Sequence, residues 1–122
     1  MAATTEQLEA IKRLDENWDG YGAAAPAPGA VDVASALAGL IDAALRKSFS
    51  GARTLHASPT RIGGILLEWE DHATEHEIEI TPDGSLGFLH RNKATGEIAT
   101  RKISPFLIHL DFLRELQQVI AA

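Results

Sequence analysis

The sequence predicts a single α+β domain in which helices cover one face of an antiparallel sheet. A chain of 122 residues is too short for two ordinary hydrophobic cores, so residues 1–122 are expected to form one domain. Apolar residues recur at helical spacing in the first third of the chain and again near its end. Between Ala52 and Ile103 the apolar period changes to two, which is typical of strands joined by short turns.

The first helix is predicted from about Thr5 to Glu16. Thr4 is a suitable N-cap, and Gln7 completes a capping-box pattern. The apolar side chains of one face are Leu8, Ile11, Leu14 and, further on, Trp18. We expect the indole to be buried in the core, with Asp19 capping N–H groups of the turn and Gly20 or Gly22 at positive φ. The alternative is that the loop aromatic residues anchor a partner.

The second helix is predicted from about Gly29 to Arg46, with Pro28 tolerated in its first turn. Its expected apolar face consists of Val33, Leu37, Leu40, Ile41, Ala44 and Leu45. Small residues between them would let another element approach closely.

A third helix is predicted from Ser104 to about Ile120, packed on one face of the sheet. Ser104 is a good N-cap, and Pro105 suits the first helical position. The apolar arc of this helix, which includes Phe106 and Phe112, is wider than one packing face needs. We therefore expect a homodimer.

Four or five strands are expected between these helices, forming a meander. Their predicted ranges are Arg53–Ser58, Ile65–Glu70, Glu75–Thr81, Ser85–Arg91 and Glu97–Ile103. Double glycine Gly63-Gly64 precedes a strand and predicts a bulge or tight turn.

The register of the central strands follows from keeping one face apolar. Predicted cross-strand partners are Ile65 with Ile80, Leu66 with Glu79, Leu67 with Ile78, Glu68 with Glu77, Trp69 with His76, and Glu70 with Glu75. In the next hairpin, a loop with Gly84 in the left-handed conformation pairs Ile80 with Leu86. The same register places Glu75 opposite Arg91 and His76 opposite His90.

The chain resembles a group of small, uncharacterised bacterial proteins over roughly residues 8 to 90. The resemblance rests on NWDGYGA at 17–23, GGILLEW at 63–69 and EIEITPDG at 77–84. It implies a bacterial origin and a shared fold, and it implies no catalytic residue.

Composition excludes several kinds of chemistry. There is no cysteine, so the chain has no disulfide, thiolate metal site or cysteine nucleophile. Seventeen acidic residues against eleven basic ones give a net charge of −6, a poor match to a nucleic-acid backbone. Residues 1–9 do not form a secretory signal, and no stretch is long and apolar enough to cross a membrane. We expect a cytoplasmic protein.

The predicted register gathers glutamates on the sheet face turned away from the apolar core. Like charges lie directly across the strands at Glu68 and Glu77, which is locally unfavourable. Arg91 and Arg101 could neutralise this face. Otherwise the negative charge of this face is explained by a basic protein partner that binds there. The predicted partner-binding residues are Glu68, Glu70, Glu77 and Glu79.

A second candidate site is the corner formed by Trp69, His76 and His90. Two imidazoles beside an indole could transfer protons or bind a small ligand. The alternative is that they form the rim of the core. His72 and His76 do not converge on a hairpin, so the sequence predicts no metal site, and no cofactor motif is present.

The function expected from these observations is that of a small, non-enzymatic bacterial interaction protein. An acidic inhibitor, immunity protein or antitoxin that neutralises a basic partner is a special case. The alternative is an enzyme or ligand-binding protein that uses the Trp69, His76 and His90 corner.

Overall fold

The computed structural model describes residues 4–46, 55–70 and 72–103. Two helices, α1 (Thr4–Lys12) and α2 (Pro28–Arg46), precede the strands β1 (His56–Pro59), β2 (Ile65–Glu70), β3 (Thr74–Ile80), β4 (Leu86–Asn92) and β5 (Ile98–Ile103). The predicted α+β class with an antiparallel sheet is confirmed. The predicted C-terminal helix, and the homodimer argument based on Phe106 and Phe112, lie outside the described residues.

The five strands form one sheet in chain order, and each neighbouring pair is antiparallel. This is the meander that the sequence predicts, at the larger of the two expected strand counts. Sequential order arises because each pair of neighbouring strands is joined by a short local connection, which antiparallel pairing permits.

The predicted register of the central strands is confirmed at every pair. Ile65 lies opposite Ile80, Leu67 opposite Ile78, and the remaining β2–β3 partners follow. Gly84 has φ +85°, and its N–H donates to the Thr81 carbonyl at 2.9 Å. This turn pairs Ile80 with Leu86, so the apolar face continues into β4.

Both helices pack on the apolar side of the sheet. Helix α1 contacts β1 and α2, and α2 contacts β2 and β3. The most deeply buried large side chains are Ile41, Leu55, Ile65, Leu67, Ile78, Ile80 and Leu86. We call this side the helical face and the opposite side the outer face. None of the described helices is long and apolar enough to cross a membrane.

Helix α1 ends at Lys12, earlier than the predicted Glu16. After Lys12 the backbone hydrogen bonds change to the three-residue spacing of a 3₁₀ turn. The Leu14 N–H donates to the Ile11 carbonyl at 3.1 Å. The chain then leaves the helix axis, so the apolar stripe does not carry Trp18 into the core. The expected full burial of Trp18 is wrong: its ring is half-buried, and its Nε1–H donates to the Ala24 carbonyl at 3.0 Å.

The buried face of helix α2 shares Leu37 and Ile41 with the predicted one but differs from it at two positions. Leu40 was expected in the core but is 41% exposed, and Val33 is only partly buried. The buried face consists of Ala30, Val31, Ala34, Leu37, Ala38 and Ile41. Because half of these residues are alanines, the helix backbone can lie close to the sheet.

Candidate functional site

The outer face carries three cross-strand rows of side chains, because residues paired in register project from the same face. The first row consists of His56, Glu68, Glu77, Leu89 and Thr100. The second consists of Glu70, Glu75, Arg91 and Ile98. The third consists of Ser58, Leu66, Glu79, Gly87 and Lys102. The predicted partner-binding glutamates are therefore brought together on one face.

Glu68 and Glu77 form the centre of this face. They are direct partners on adjacent strands, and both are half-buried. Neither forms an ion pair with any residue in the part of the chain that the structure describes. Two ionised carboxylates at such a position repel each other, so this pair lowers the stability of the sheet.

Glu75 and Glu70, in contrast, are neutralised within the fold. Arg91 binds Glu75 through two nitrogens, with its Nε–H donating to Oε2 at 2.8 Å. This hydrogen bond, together with the Arg91 charge, lowers the pKa of Glu75 below its ordinary value. Lys93 lies 3.1 Å from Glu70. The predicted neutralisation of Glu75 is thus confirmed. Glu70, which was predicted to bind a partner, also has a cation within the fold.

Arg101 does not contribute to the outer face. It lies opposite Phe88, whose ring is in the core, so the register places Arg101 on the helical face. The expectation that Arg101 shares a face with the glutamates is wrong. The hydrogen bond to Glu75 is the largest cause of the raised pKa of Arg91, and the charge of nearby Glu77 adds a smaller contribution.

A shallow groove of about 320 Å³ runs along this acidic area. Its lining residues are His56, Glu68, Trp69, Glu70, Glu75, His76 and Glu77. His56 enters the site because β1 pairs it with Glu68. His56 was not predicted as a site residue, because the predicted register covered only the central strands.

A second groove, of about 730 Å³, lies at the other end of the outer face. It is lined by Glu79, Thr81, Pro82, Asp83, Ser85, Leu86, Gly87 and Lys102. Glu79 and Lys102 stand on either side of Gly87 in one row and do not form an ion pair with each other. Glu79 is therefore an exposed and unneutralised carboxylate among the described residues.

The predicted aromatic corner is assembled on the helical face. His76 is only 4% exposed, and its Nδ1 lies 2.6 Å from Nδ1 of His90. The Trp69 ring stacks on His76 at a centroid distance of 5.1 Å. Phe88 contacts both Trp69 and His90. This contact between the two imidazoles requires one Nδ1 to donate and the other to accept.

The corner has the packing of a core rim. Its rings contact one another, and His76 and Trp69 are almost fully buried. Within the described residues, no group of three or more His, Asp or Glu side chains could hold a metal ion. One feature favours a ligand: the Trp69 Nε1–H is buried without an acceptor among these residues.

The loop after α1 is held by its own acidic and amide side chains. Asp19 Oδ1 accepts the N–H groups of Tyr21 and Ala23, which confirms its predicted capping role. Its Oδ2 accepts Nε–H of Arg61 at 2.8 Å. These contacts lower the pKa of Asp19, the Tyr21 N–H being the largest cause. Both Gly20 and Gly22 have positive φ, as predicted.

No family model, curated protein or solved structure matches this chain.

Proposed function

We propose that this protein acts by binding a basic protein partner through the outer face of its sheet. The observation that carries the proposal is the direct opposition of Glu68 and Glu77, neither of which forms an ion pair within the described part of the fold. The pair destabilises the free protein, and a partner that brought Lys or Arg side chains to it would remove that cost.

The arrangement of neighbouring charges supports this function. Glu70 and Glu75 have intramolecular cations, so they define the edge of the site rather than its centre. Glu68, Glu77 and the exposed Glu79 are left to meet a partner. The net charge of −6 adds long-range attraction toward a basic surface, which speeds encounter.

A non-enzymatic role as an inhibitor, immunity protein or antitoxin is consistent with this surface. Such proteins need a complementary face rather than reacting groups. The groove along the glutamates, at about 320 Å³, is shallow and bordered by carboxylates and His56. It would accept one or two extended basic side chains.

The experiment is affinity capture from cells that express the protein, with three versions of the chain as bait. Glu68→Gln with Glu77→Gln removes the central charges. Glu9→Gln with Asp32→Asn is the control, because it removes the same charge from exposed helical positions. The wild type and the control should retain a common basic protein that elutes with salt, and the Glu68/Glu77 variant should lose it. Equal retention by all three versions would contradict the proposal.

The alternative function is ligand binding or catalysis at the corner of Trp69, His76 and His90. It is favoured by the buried indole N–H of Trp69, which has no acceptor among the described residues. The same experiment separates the two functions when His90→Phe is added as a fourth bait. If His90→Phe loses a bound molecule that the Glu68/Glu77 variant retains, the functional site is the corner and not the outer face.

A further inference from the structure

The two edges of the sheet are protected differently. At the β1 edge, the Ala57 N–H does not bond to β2 but donates to Oε1 of Gln7 on α1, at 2.6 Å. A side chain of α1 therefore accepts a hydrogen bond from a backbone N–H group of this edge. At the β5 edge, residues 98–102 are all exposed, and the large apolar side chain of Ile98 is 56% exposed.

Pairing with β4 determines which backbone groups of β5 point outward. The Asn92 N–H donates to the Glu97 carbonyl at 2.9 Å, so this pair is hydrogen-bonded. Hydrogen-bonded and non-bonded pairs alternate along an antiparallel ladder, which turns the N–H and C=O groups of Ile98, Thr100 and Lys102 away from β4. Among the residues that the structure describes, these outward groups have no backbone partner beyond β4.

We propose that β5 pairs with β5 of a second copy of this chain, antiparallel and about a two-fold axis through Thr100. The two sheets would then form one continuous sheet with both outer faces on the same side. The occupant is a second copy because, in this register, the outward hydrogen-bonding groups of the exposed strand match those of its own copy and no like charges are direct partners.

In this register every outward-pointing backbone N–H and C=O group of β5 meets a partner on the second copy. With Thr100 on the axis, it faces Thr100 of the second copy, and Ile98 faces Lys102 of the second copy. All three outward-pointing residues of each strand then meet outward-pointing residues. Threonine opposite threonine is a favourable cross-strand pair, and the lysine stem can cover the exposed isoleucine.

Charge disfavours one neighbouring register, and the loss of ladder pairs disfavours the other. Register shifts must be by an even number of residues, or the two faces would be exchanged. A shift toward the C-terminus places Arg101 on the axis against its own symmetry mate, which is repulsive. A shift toward the N-terminus places Lys102 against Gly96 in the turn and loses part of the ladder. With Thr100 on the axis, no two like charges are direct partners.

This pairing ends at a dimer. An interface about a two-fold axis uses both β5 edges, and the remaining β1 edges each have the Gln7 bond to α1. Arg101 and Lys102 also oppose pairing with unrelated strands, since charges on an edge strand discourage other registers.

The test is the molar mass of the full chain in solution, by sedimentation velocity from about 1 to 100 µM. The wild type should be a dimer. Thr100→Lys and Thr100→Glu each place like charges on the axis and should weaken self-association about fivefold or more. A one-to-one mixture of the two variants should restore the dimer, because the opposed charges then attract. Ala94→Lys, in the β4–β5 turn, is the control and should dimerise as the wild type does.

Recovery in the mixture cannot come from misfolded chains, so it separates lost contact from lost folding. A wild type that stays monomeric over this range would overturn the proposal. So would a dimer that neither Thr100 variant weakens, since that dimer would use another surface, or a mixture that associates no better than its components.

Discussion

Individual side chains of the loop after α1 show what sequence can and cannot reveal at the residue scale. The Asp-Gly pattern predicts a turn, and both glycines have positive φ as expected. Asn17 also has φ +63°, and its Oδ1 accepts the Gly22 N–H at 2.6 Å. The pairing of Asp19 with Arg61 joins segments far apart in sequence, so no local pattern could predict it.

Asp19→Asn tests how much the charge of this side chain stabilises the loop. The pKa of Asp19 in the folded protein is lower than its ordinary value of 3.8. Its ionised form therefore stabilises the fold above that pH, and this contribution is lost as the pH falls through the folded pKa. The stability difference between wild type and Asp19→Asn should be largest near neutral pH and should shrink below about pH 4. Urea unfolding from pH 3 to pH 7 measures it. Asp32→Asn is the control, and an Asp19→Asn difference that does not change with pH would contradict the account.

At the scale of elements, the β2–β3 and β3–β4 hairpins were the most predictable part of the fold. Their alternating apolar residues and the turn containing Gly84 admit one register that keeps a face apolar. Helix α2 was less predictable, because its alanines and two glycines weaken the apolar contrast between its faces. The sequence therefore did not reveal that Leu40 faces outward.

Gly64 is required where the chain enters β2. A Cβ at this position would collide with the backbone carbonyl of Ile80, and it would lie 3.0 Å from the Thr60 hydroxyl. Gly64→Ala should lower the free energy of unfolding by about 2–3 kcal/mol. Gly39→Ala in α2 is the matched control, because a Cβ there meets nothing within 4 Å. That control should raise stability by about 0.5–1 kcal/mol. Equal effects of the two substitutions in chemical denaturation would show that Gly64 is not a close-approach position.

At the scale of the whole molecule, the glutamates of the outer face were predictable and their neutralisation was only partly so. The predicted register placed Glu75 opposite Arg91, and the ion pair is present. The ion pair of Glu70 with Lys93 depends on a turn after β4, and the position of His56 depends on the short strand β1. Neither has a local sequence signal, so the extent of the unneutralised area emerged only from the assembled sheet.

Glu68 and Glu77 are expected to repel each other, because neither forms an ion pair among the residues that the structure describes. The most direct measurement is the free energy of urea unfolding of Glu68→Gln with Glu77→Gln, at low and at high salt. We expect the free energy of unfolding to rise by about 0.5–1 kcal/mol at low salt. This gain should shrink at high salt, because salt screens the repulsion in the wild type. The control, Glu9→Gln with Asp32→Asn, should show no comparable gain. A loss of stability in the Glu68/Glu77 variant would contradict the claim, because it would mean that these carboxylates already have a stabilising partner within the folded chain.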